Sequence, residues 1–205
     1  MWEAVRAEKK RALRAAALSQ RNSLSEAEVL SRSRLIQGRA LHFPRYLSST
    51  AVALYSPIQN EIATDQILNH ALKKAKKVFY PGTGSDSGLE LIQIDSVADL
   101  QVGRFGIPEP TGNRELSQGE AEDLMVFVPG VGFDLRGNRL GRGHGWYDRL
   151  LARLDPKAAF VGLAYEFQIV DEVPSEEWDQ RVHFIITENR VIDCGYESLQ
   201  PRRMA

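Results

Sequence analysis

Between Val126 and Leu151 the chain carries an apolar strand-like run, a turn, a glycine-rich segment and a helical pattern, in that order. We expect the three alternating glycines of this segment, Gly141, Gly143 and Gly145, to adopt positive φ and to let the backbone approach a ligand closely. Free N–H groups in such a loop, followed by a helix start, form a positive concavity that suits phosphate. The segment therefore predicts a strand, a phosphate-binding loop and a helix in succession.

Charged side chains of the same segment support this interpretation. Arg139 and Arg142 carry guanidinium groups whose fork matches phosphate oxygens, and Asp148 could hold a metal ion that bridges phosphates. The P-loop motif is absent from the sequence, and Trp146 stands where the dinucleotide-binding motif requires glycine. A glycine-rich turn with solvated arginines is the alternative, and the density of glycine, arginine and aspartate favours phosphate binding over it.

Composition narrows the class of protein. The 205 residues, 43% of them hydrophobic, predict one domain over residues 1–205 with a true core. A net charge of −1 and the lack of a long basic patch with aromatic residues argue against a nucleic-acid or membrane partner. The single cysteine, Cys194, fits a reducing compartment and is expected to be a half-buried spectator. We therefore expect a cytoplasmic protein without a transmembrane segment, and a monomer.

Short apolar runs alternate with helical patterns along the chain, which predicts an α/β layered domain with a mainly parallel central sheet. Ser25 and Glu28 form a capping-box pattern before the second helix. The predicted helices are residues 2–20, 25–41, 64–77 and 146–154. The predicted strands are residues 51–55, 78–80, 89–94, 124–128, 160–164, 184–187 and 191–192. Residues 82–88 are expected to form a loop, and residues 105–112 an extended segment.

A second basic element lies on the first predicted helix. Arg6, Lys10 and Arg14 are spaced by four residues and therefore share one face. Their mutual repulsion would be relieved by an anionic partner, but a solvated helix face explains the pattern equally well. The sequence leaves these two interpretations open.

Four motifs in order resemble the 5-formyltetrahydrofolate cyclo-ligase family. They are K-R-A-L-R at Lys10–Arg14, Y-S-P-I-Q-N-E-I at Tyr55–Ile62, F-G-I-P-E-P at Phe105–Pro110 and the long motif V-P-G-V-G-F-D-L-R-G-N-R-L-G-R-G-H-G-W-Y-D-R. The resemblance spans nearly the whole chain. It implies a three-layer α/β/α domain and a ligase that converts ATP and 5-formyltetrahydrofolate to 5,10-methenyltetrahydrofolate, ADP and phosphate with Mg²⁺.

The resemblance also implies site residues, of which Glu61 and Asp179 would otherwise be assigned to the surface. The implied catalytic residues are Arg142 and Lys10. The implied nucleotide-binding residues are Lys10, Arg11, Ala12, Leu13, Arg14, Arg139, Leu140, Gly141, Arg142, Gly143, His144, Gly145, Trp146 and Tyr147. The implied folate-binding residues are Ser56, Glu61, Arg142, Gly143, His144, Gly145 and Trp146. The implied Mg²⁺ ligands are Asp148 and Asp179.

The chain departs from the family pattern at three positions. Trp146 replaces a usual tyrosine, His144 a glycine or a basic residue, and His183 a common aspartate. Two other functions stay open: a nucleotide-binding relative without this reaction, and a sugar-phosphate isomerase or CoA-transferase-like protein. The latter is disfavoured because two separate basic elements and Asp148 suit a triphosphate with a metal.

Overall fold

Helices flank the centre of the molecule. The structure is a computed structural model that describes residues 2–83, 88–103, 106–117 and 123–195. Its α-helices in these ranges, named α1 to α5, are Trp2–Asn22, Glu26–Leu41, Pro44–Ser48, Asp65–Lys73 and Trp146–Leu151. No helix of the described ranges is long and apolar enough to cross a membrane.

Seven strands form the central sheet of the described chain, in the order β12-β11-β9-β6-β1-β2-β3. The strands β1 to β6 are Ala51–Ala53, Lys77–Thr83, Leu89–Ile94, Leu100–Val102, Pro108–Pro110 and Leu124–Pro129. The strands β7 to β12 are Gly132–Asp134, Arg139–Leu140, Ala159–Leu163, Ile169–Val170, Phe184–Ile186 and Val191–Asp193. The inner pairs are parallel and only β3 and β12, at the two edges, are antiparallel to their neighbours. The predicted mainly parallel sheet is confirmed.

Alternate side chains of the central strands face opposite sides of the sheet, as the strand period requires. On one face Val52 and Phe127 pack against buried residues of α2, α3 and α4. On the other face Val126 packs with Leu150 and Leu151 of α5. Helices therefore cover both faces, and the three-layer α/β/α fold is confirmed.

Helix α1 does not cover the main sheet. It packs on the small sheet formed by β10, β7 and β8. The contacts involve Leu13, Ala17 and Leu18 on the helix and Val131, Leu140 and Val173 beneath it. Because this apolar stripe is buried, the helix face that carries Lys10 and Arg14 is directed to the carboxyl end of β6.

The predicted capping box is confirmed at the start of α2. The Ser25 hydroxyl accepts a hydrogen bond from the Glu28 N–H, and the Glu28 carboxylate accepts one from the Ser25 N–H at 2.9 Å. This exchange satisfies N–H groups that have no partner within the helix.

Several predicted boundaries are wrong. Helix α4 ends at Lys73 because the chain reverses at Ala75, whose φ is 55°, and Lys76 then donates to the Ser49 carbonyl. Strand β2 extends to Thr83 because β3 pairs with it along its whole length. The predicted loop 82–88 is therefore partly strand, and residues 84–87 lie outside the described residues. Helix α5 ends at Leu151, three residues early.

The predicted extended segment is confirmed over Pro108–Pro110, whereas Gly106 lies in a turn with a φ of 71°. Pro108–Pro110 forms β5, which pairs antiparallel with β4. Phe105, which begins the predicted segment, lies outside the described residues. The hairpin of β4 and β5 packs against β2 and β3 of the main sheet.

Candidate active site

The carboxyl ends of β1 and β6 open onto a cavity of about 640 Å³. Tyr55 and Ser56 follow β1 into its wall, and Pro129 and Gly130 end β6 there. A volume in this range accommodates a cofactor-sized or drug-sized ligand. The position agrees with the expectation that ligands bind outside the carboxyl ends of parallel strands.

The glycine-rich segment forms one wall of this cavity, to which every residue from Arg139 to Asp148 contributes. The segment follows the β7–β8 hairpin rather than β6 directly. Gly143 and Gly145 adopt positive φ, of 106° and 65°, as expected. The same expectation is wrong for Gly141, where a Cβ would instead lie 2.9 Å from the Arg139 Nη1 atom, so close approach excludes a side chain there.

Arg139 is buried against Asp148. Its Nη2 donates to the Asp148 Oδ1 atom at 2.9 Å, and the same oxygen accepts the Gln180 N–H at 3.2 Å. The guanidinium carbon lies 5.7 Å from the centre of the Tyr147 ring. Arg139 therefore supplies fixed positive charge behind the segment and orients the Asp148 carboxylate.

Part of the basic face of α1 reaches the cavity. The Lys10 Nζ atom donates to Asp179 at 2.8 Å and lies 3.6 Å from Glu176. The Arg14 Nε donates to the Gly141 carbonyl oxygen at 2.9 Å. Both cations line the cavity, whereas Arg6 is exposed and does not.

Three residues that the resemblance assigned to the nucleotide are not brought to the cavity. Arg11 and Ala12 are exposed on another side of α1, and Arg11 pairs with Glu8. Leu13 packs into the apolar contact beneath the helix. Helical geometry separates them from Lys10 and Arg14, because adjacent residues point about 100° apart.

Glu61 is buried, with 9% of its side chain exposed, so its assignment to the surface is wrong. Its carboxylate accepts the Ile58 N–H at 3.1 Å and the Arg142 Nη2 at 3.3 Å, and the Arg21 Nη2 lies 3.6 Å away. Burial raises the pKa of Glu61, whereas Arg21, the Ile58 N–H and Arg142 act in the opposite direction. The Arg142 Nη1 also donates to the Gln59 side chain at 2.8 Å.

Asp179 is likewise largely enclosed, with 17% of its side chain exposed, and its assignment to the surface is also wrong. Besides Lys10 it binds the Glu176 N–H at 3.0 Å. Ser56 lines the cavity and its hydroxyl donates to the Pro108 carbonyl, so it joins the β4–β5 hairpin to the cavity wall.

Sequence reasoning missed part of the site. Arg21 contacts Glu61 from α1, and its position seven residues after Arg14 on the same helix face could have revealed it. Trp178 lines the cavity with 67% of its surface exposed, and no spacing in the sequence indicates this. The other missed lining residues are Tyr55, Ile58, Pro81, Gly82, Leu89, Ile107, Pro108, Glu109, Pro129, Gly130, Val131 and Glu176.

Comparison with known proteins decides the family. A family model described as the 5-formyltetrahydrofolate cyclo-ligase family matches residues 6–188. The chain belongs to the 5-formyltetrahydrofolate cyclo-ligase family. It is therefore an enzyme of the ligase class.

Relatives in the cyclo-ligase family match over most of their length. A 5-formyltetrahydrofolate cyclo-ligase of Mus musculus is 30% identical over 192 residues, which cover 88% of this chain and 94% of that protein. Another, of Haemophilus influenzae, is 34% identical over 143 residues, which cover 68% and 76%. The NMR structure of Aquifex aeolicus 5,10-methenyltetrahydrofolate synthetase has a TM-score of 0.80 and 36% identity, and the match covers 95% of this chain and 98% of that one.

The three departures from the cyclo-ligase pattern lie in different surroundings. His144 and Trp146 line the cavity with ring centres 5.4 Å apart. His183 is buried away from the cavity lining, and its Nδ1 accepts the Phe160 N–H at 2.8 Å. Burial lowers the pKa of His183 and raises that of the half-buried Cys194 to about 12. Only His144 and Trp146 can therefore contact a ligand in this member of the cyclo-ligase family.

The carboxylates assigned to Mg²⁺ fit an ion that is shared with phosphates. Asp148 and Asp179 both line the cavity, and each faces a cation. The described residues contain no cluster of three or more histidine, cysteine, aspartate or glutamate side chains that could hold a metal by itself. Mg²⁺ is commonly held by one or two carboxylates together with substrate phosphates, which matches this donor set.

Proposed function

We propose that this chain converts 5-formyltetrahydrofolate to 5,10-methenyltetrahydrofolate, consuming ATP with Mg²⁺ and releasing ADP and phosphate. The observation that carries the proposal is the composition of one cavity, which is lined by the Glu61 carboxylate, the glycine-rich segment, Lys10 and Arg14. Arg142 of that segment donates to Glu61. The name shared by its relatives agrees with this substrate.

The chemistry explains why ATP is needed. The formyl oxygen of an amide-like formyl group is a poor leaving group. Transfer of the γ-phosphoryl group to that oxygen gives an iminium phosphate and ADP. The N10 atom of the folate then attacks the formyl carbon, and the carbon–oxygen bond breaks to release phosphate as the ring closes. The task of the protein is alignment and neutralisation of charge.

The folate side of the cavity would bind the pterin through Glu61. Its ionised carboxylate can accept two parallel N–H bonds from the aminopyrimidine edge. Ile58, Ile107 and Leu89 supply apolar surface, and Trp146 an aromatic face. This arrangement would place the formyl group towards Arg142.

The phosphate side would bind ATP through the glycine-rich segment, Lys10 and Arg14. In the free protein Lys10 donates to the Asp179 carboxylate and Arg14 to the Gly141 carbonyl oxygen. Phosphate oxygens of ATP would replace these oxygen acceptors. The side chain of Arg142 is 30% exposed and lies beside the Glu61 carboxylate. From this position it could neutralise the charge that develops on the transferring phosphoryl group. We therefore assign Arg142 and Lys10 the catalytic roles.

Asp148 and Asp179 would hold Mg²⁺ together with the phosphates. When bound, the ion would neutralise phosphate charge and favour departure of ADP. Both carboxylates are kept in place by backbone N–H groups that donate to them, that of Gln180 to Asp148 and that of Glu176 to Asp179. We further propose that the protein acts as a monomer in the cytoplasm, and its single cysteine, Cys194, is typical of a reducing compartment.

A spectroscopic assay tests the proposal. Purified protein is mixed with 5-formyltetrahydrofolate and Mg²⁺, with and without ATP, and the methenyl product is followed by its near-ultraviolet absorbance. We expect product only with ATP. We expect Arg142→Ala to lose nearly all turnover, whereas Arg32→Ala, which removes an ion pair with Glu188 outside the cavity lining, should retain it. If ATP binds but no product forms at high enzyme concentration, a non-catalytic relative is the correct interpretation.

A further inference from the structure

Arg21, in the last turn of α1, is a buried charge that the proposed reaction does not use. Only 1% of its side chain is exposed. Its Nη1 donates to the Gly130 carbonyl oxygen at 3.3 Å, whereas its Nε and Nη2 find no hydrogen-bond partner among the residues that the structure describes. Burying a guanidinium with incomplete hydrogen bonding is costly unless an opposite charge lies nearby. The nearby opposite charge is the carboxylate of Glu61, 3.6 Å from the Nη2.

Glu61 thus has two cationic neighbours whose side chains differ in exposure. Arg142 is partly exposed, lines the cavity and is held by the Glu61 and Gln59 side chains. Arg21 is enclosed, and its own carbonyl oxygen accepts the Asn60 side-chain amide at 3.1 Å. That contact ties the last turn of α1 to the segment that carries Glu61. Arg142 can therefore turn towards a phosphate, whereas Arg21 cannot leave.

A turn of Arg142 towards phosphate would remove one counter-charge from a buried carboxylate. We propose that Arg21 is a positioning residue that keeps Glu61 ionised and oriented for the folate while Arg142 serves the phosphates. This inference rests on the proposed function, because it assigns Glu61 to the folate. It makes α1 a link between the two substrates, with Lys10 and Arg14 near its middle and Arg21 in its last turn.

The surroundings of Glu61 support these separate roles of Arg21 and Arg142. The charged or titratable groups that face it are Arg21 of α1, Arg142 of the glycine-rich segment, Tyr55 after β1 and Tyr147 of α5. Burial raises the pKa of both tyrosines, so they stay neutral. Burial also raises the pKa of Glu61, and the charge of Arg21 is the largest single influence against this rise, ahead of the Ile58 N–H and of the charge of Arg142. Loss of Arg21 should therefore raise the pKa of Glu61 further.

Substitution of Arg21 tests the proposal through binding. In Arg21→Met we expect the Kd for 5-formyltetrahydrofolate to rise about tenfold or more near pH 7, since one nearby opposite charge shifts a carboxyl pKa by about one to three units. Affinity should recover as the pH is raised towards 9, because Glu61 then ionises. The wild-type Kd should change little over that range, and the Kd for ATP should change less than about twofold in the variant.

Two further variants separate positioning from folding. Arg21→Lys keeps the charge, and we expect a smaller loss of folate affinity with little pH dependence. Arg32→Met removes a partly exposed arginine elsewhere and should leave both affinities unchanged. In a Glu61→Gln background, Arg21→Met should cause little further loss of folate affinity, because the group it acts through is gone. If Arg21→Met does not fold, Arg21→Gln, which also removes the charge but keeps hydrogen-bond donors, takes its place in each measurement.

A readout without folate keeps this inference distinct from the proposed function. The carboxyl carbon of Glu61, labelled with carbon-13 and assigned by its loss in Glu61→Gln, reports the pKa directly in the free protein. We expect a higher pKa in Arg21→Met than in wild type. An unchanged pKa, or loss of folate affinity that is equal at every pH and equal in Arg21→Lys, would overturn the role of Arg21. Absence of folate binding to wild type would instead overturn the proposed function.

Discussion

At the residue scale, Asp148 combines a structural and a proposed metal-binding role. It is the partner of the buried Arg139 and accepts the Gln180 N–H. Removing one member of a buried ion pair leaves the other uncompensated. Substitution by alanine would therefore confuse loss of Mg²⁺ with loss of stability.

Asparagine separates these two roles of Asp148. Asp148→Asn keeps an oxygen acceptor for Arg139 but removes its counter-charge, so we expect kcat to fall at least about 100-fold with a smaller loss of stability than in Asp148→Ala. Asp148→Ala should in addition destabilise the protein by roughly 2–3 kcal/mol, because Arg139 loses its partner. Calorimetry and the absorbance assay measure the two effects. Wild-type turnover in Asp148→Asn would show that the carboxylate does not hold the metal.

His183 belongs to the stability of the core. Burial, with a smaller contribution from Arg45, lowers its pKa in the folded state. Below its ordinary pKa of about 6.5, the unfolded chain binds a proton that the folded chain resists. The contribution of His183 to stability is therefore complete above about pH 6.5 and is lost as the pH falls towards the folded-state pKa.

His183→Asn tests this pH dependence. Asparagine can still accept the Phe160 N–H but does not titrate. We expect the Tm of wild type to fall more between about pH 7 and pH 5 than the Tm of the variant. The corresponding difference in the free energy of unfolding is up to about 1.4 kcal/mol per pH unit. Activity near pH 7 should be retained. Equal falls in Tm would contradict the assignment of a lowered pKa.

At the element scale, the glycine-rich segment depends on its backbone conformation. Gly143 has a φ of 106°, which side chains rarely tolerate, although a Cβ there would meet only Arg14 at 3.9 Å. We expect Gly143→Ala to cost about 1–3 kcal/mol in strain and to raise KM for ATP at least about tenfold. Gly38→Ala is the matched control, because its Cβ would meet nothing within 4 Å and it should stabilise α2 by about 0.5–1 kcal/mol. Tm and KM distinguish the two, and an unchanged KM in Gly143→Ala would contradict the proposed role.

Elements with strong local signals could be predicted from sequence. The Ser25–Glu28 capping box and the apolar run of the predicted strand 124–128 depend only on neighbouring residues, and both are confirmed. Boundaries set by other elements could not be predicted. Strand β2 continues to Thr83 because β3 pairs with it, and no residue of β2 itself encodes that partner.

At the scale of the whole molecule, the site depends on contacts between distant segments. Lys10 and Asp179 are 169 positions apart, and Arg142 meets Glu61 across 81. Sequence motifs indicated these residues one by one, but only the parallel sheet brings them to one edge. Spacing along α1 could separate Lys10 and Arg14 from Arg11, whereas the cavity position of Trp178 needed the complete fold.

The central claim is that this cavity directs phosphoryl transfer to the formyl oxygen of the folate. An isotope measurement tests it most directly. The formyl oxygen of 5-formyltetrahydrofolate is labelled with oxygen-18, the enzyme is supplied with ATP and Mg²⁺, and the released phosphate is analysed by mass spectrometry. We expect the label to appear in phosphate, with one labelled phosphate for each methenyl product. Label found in water, with unlabelled phosphate, would contradict it.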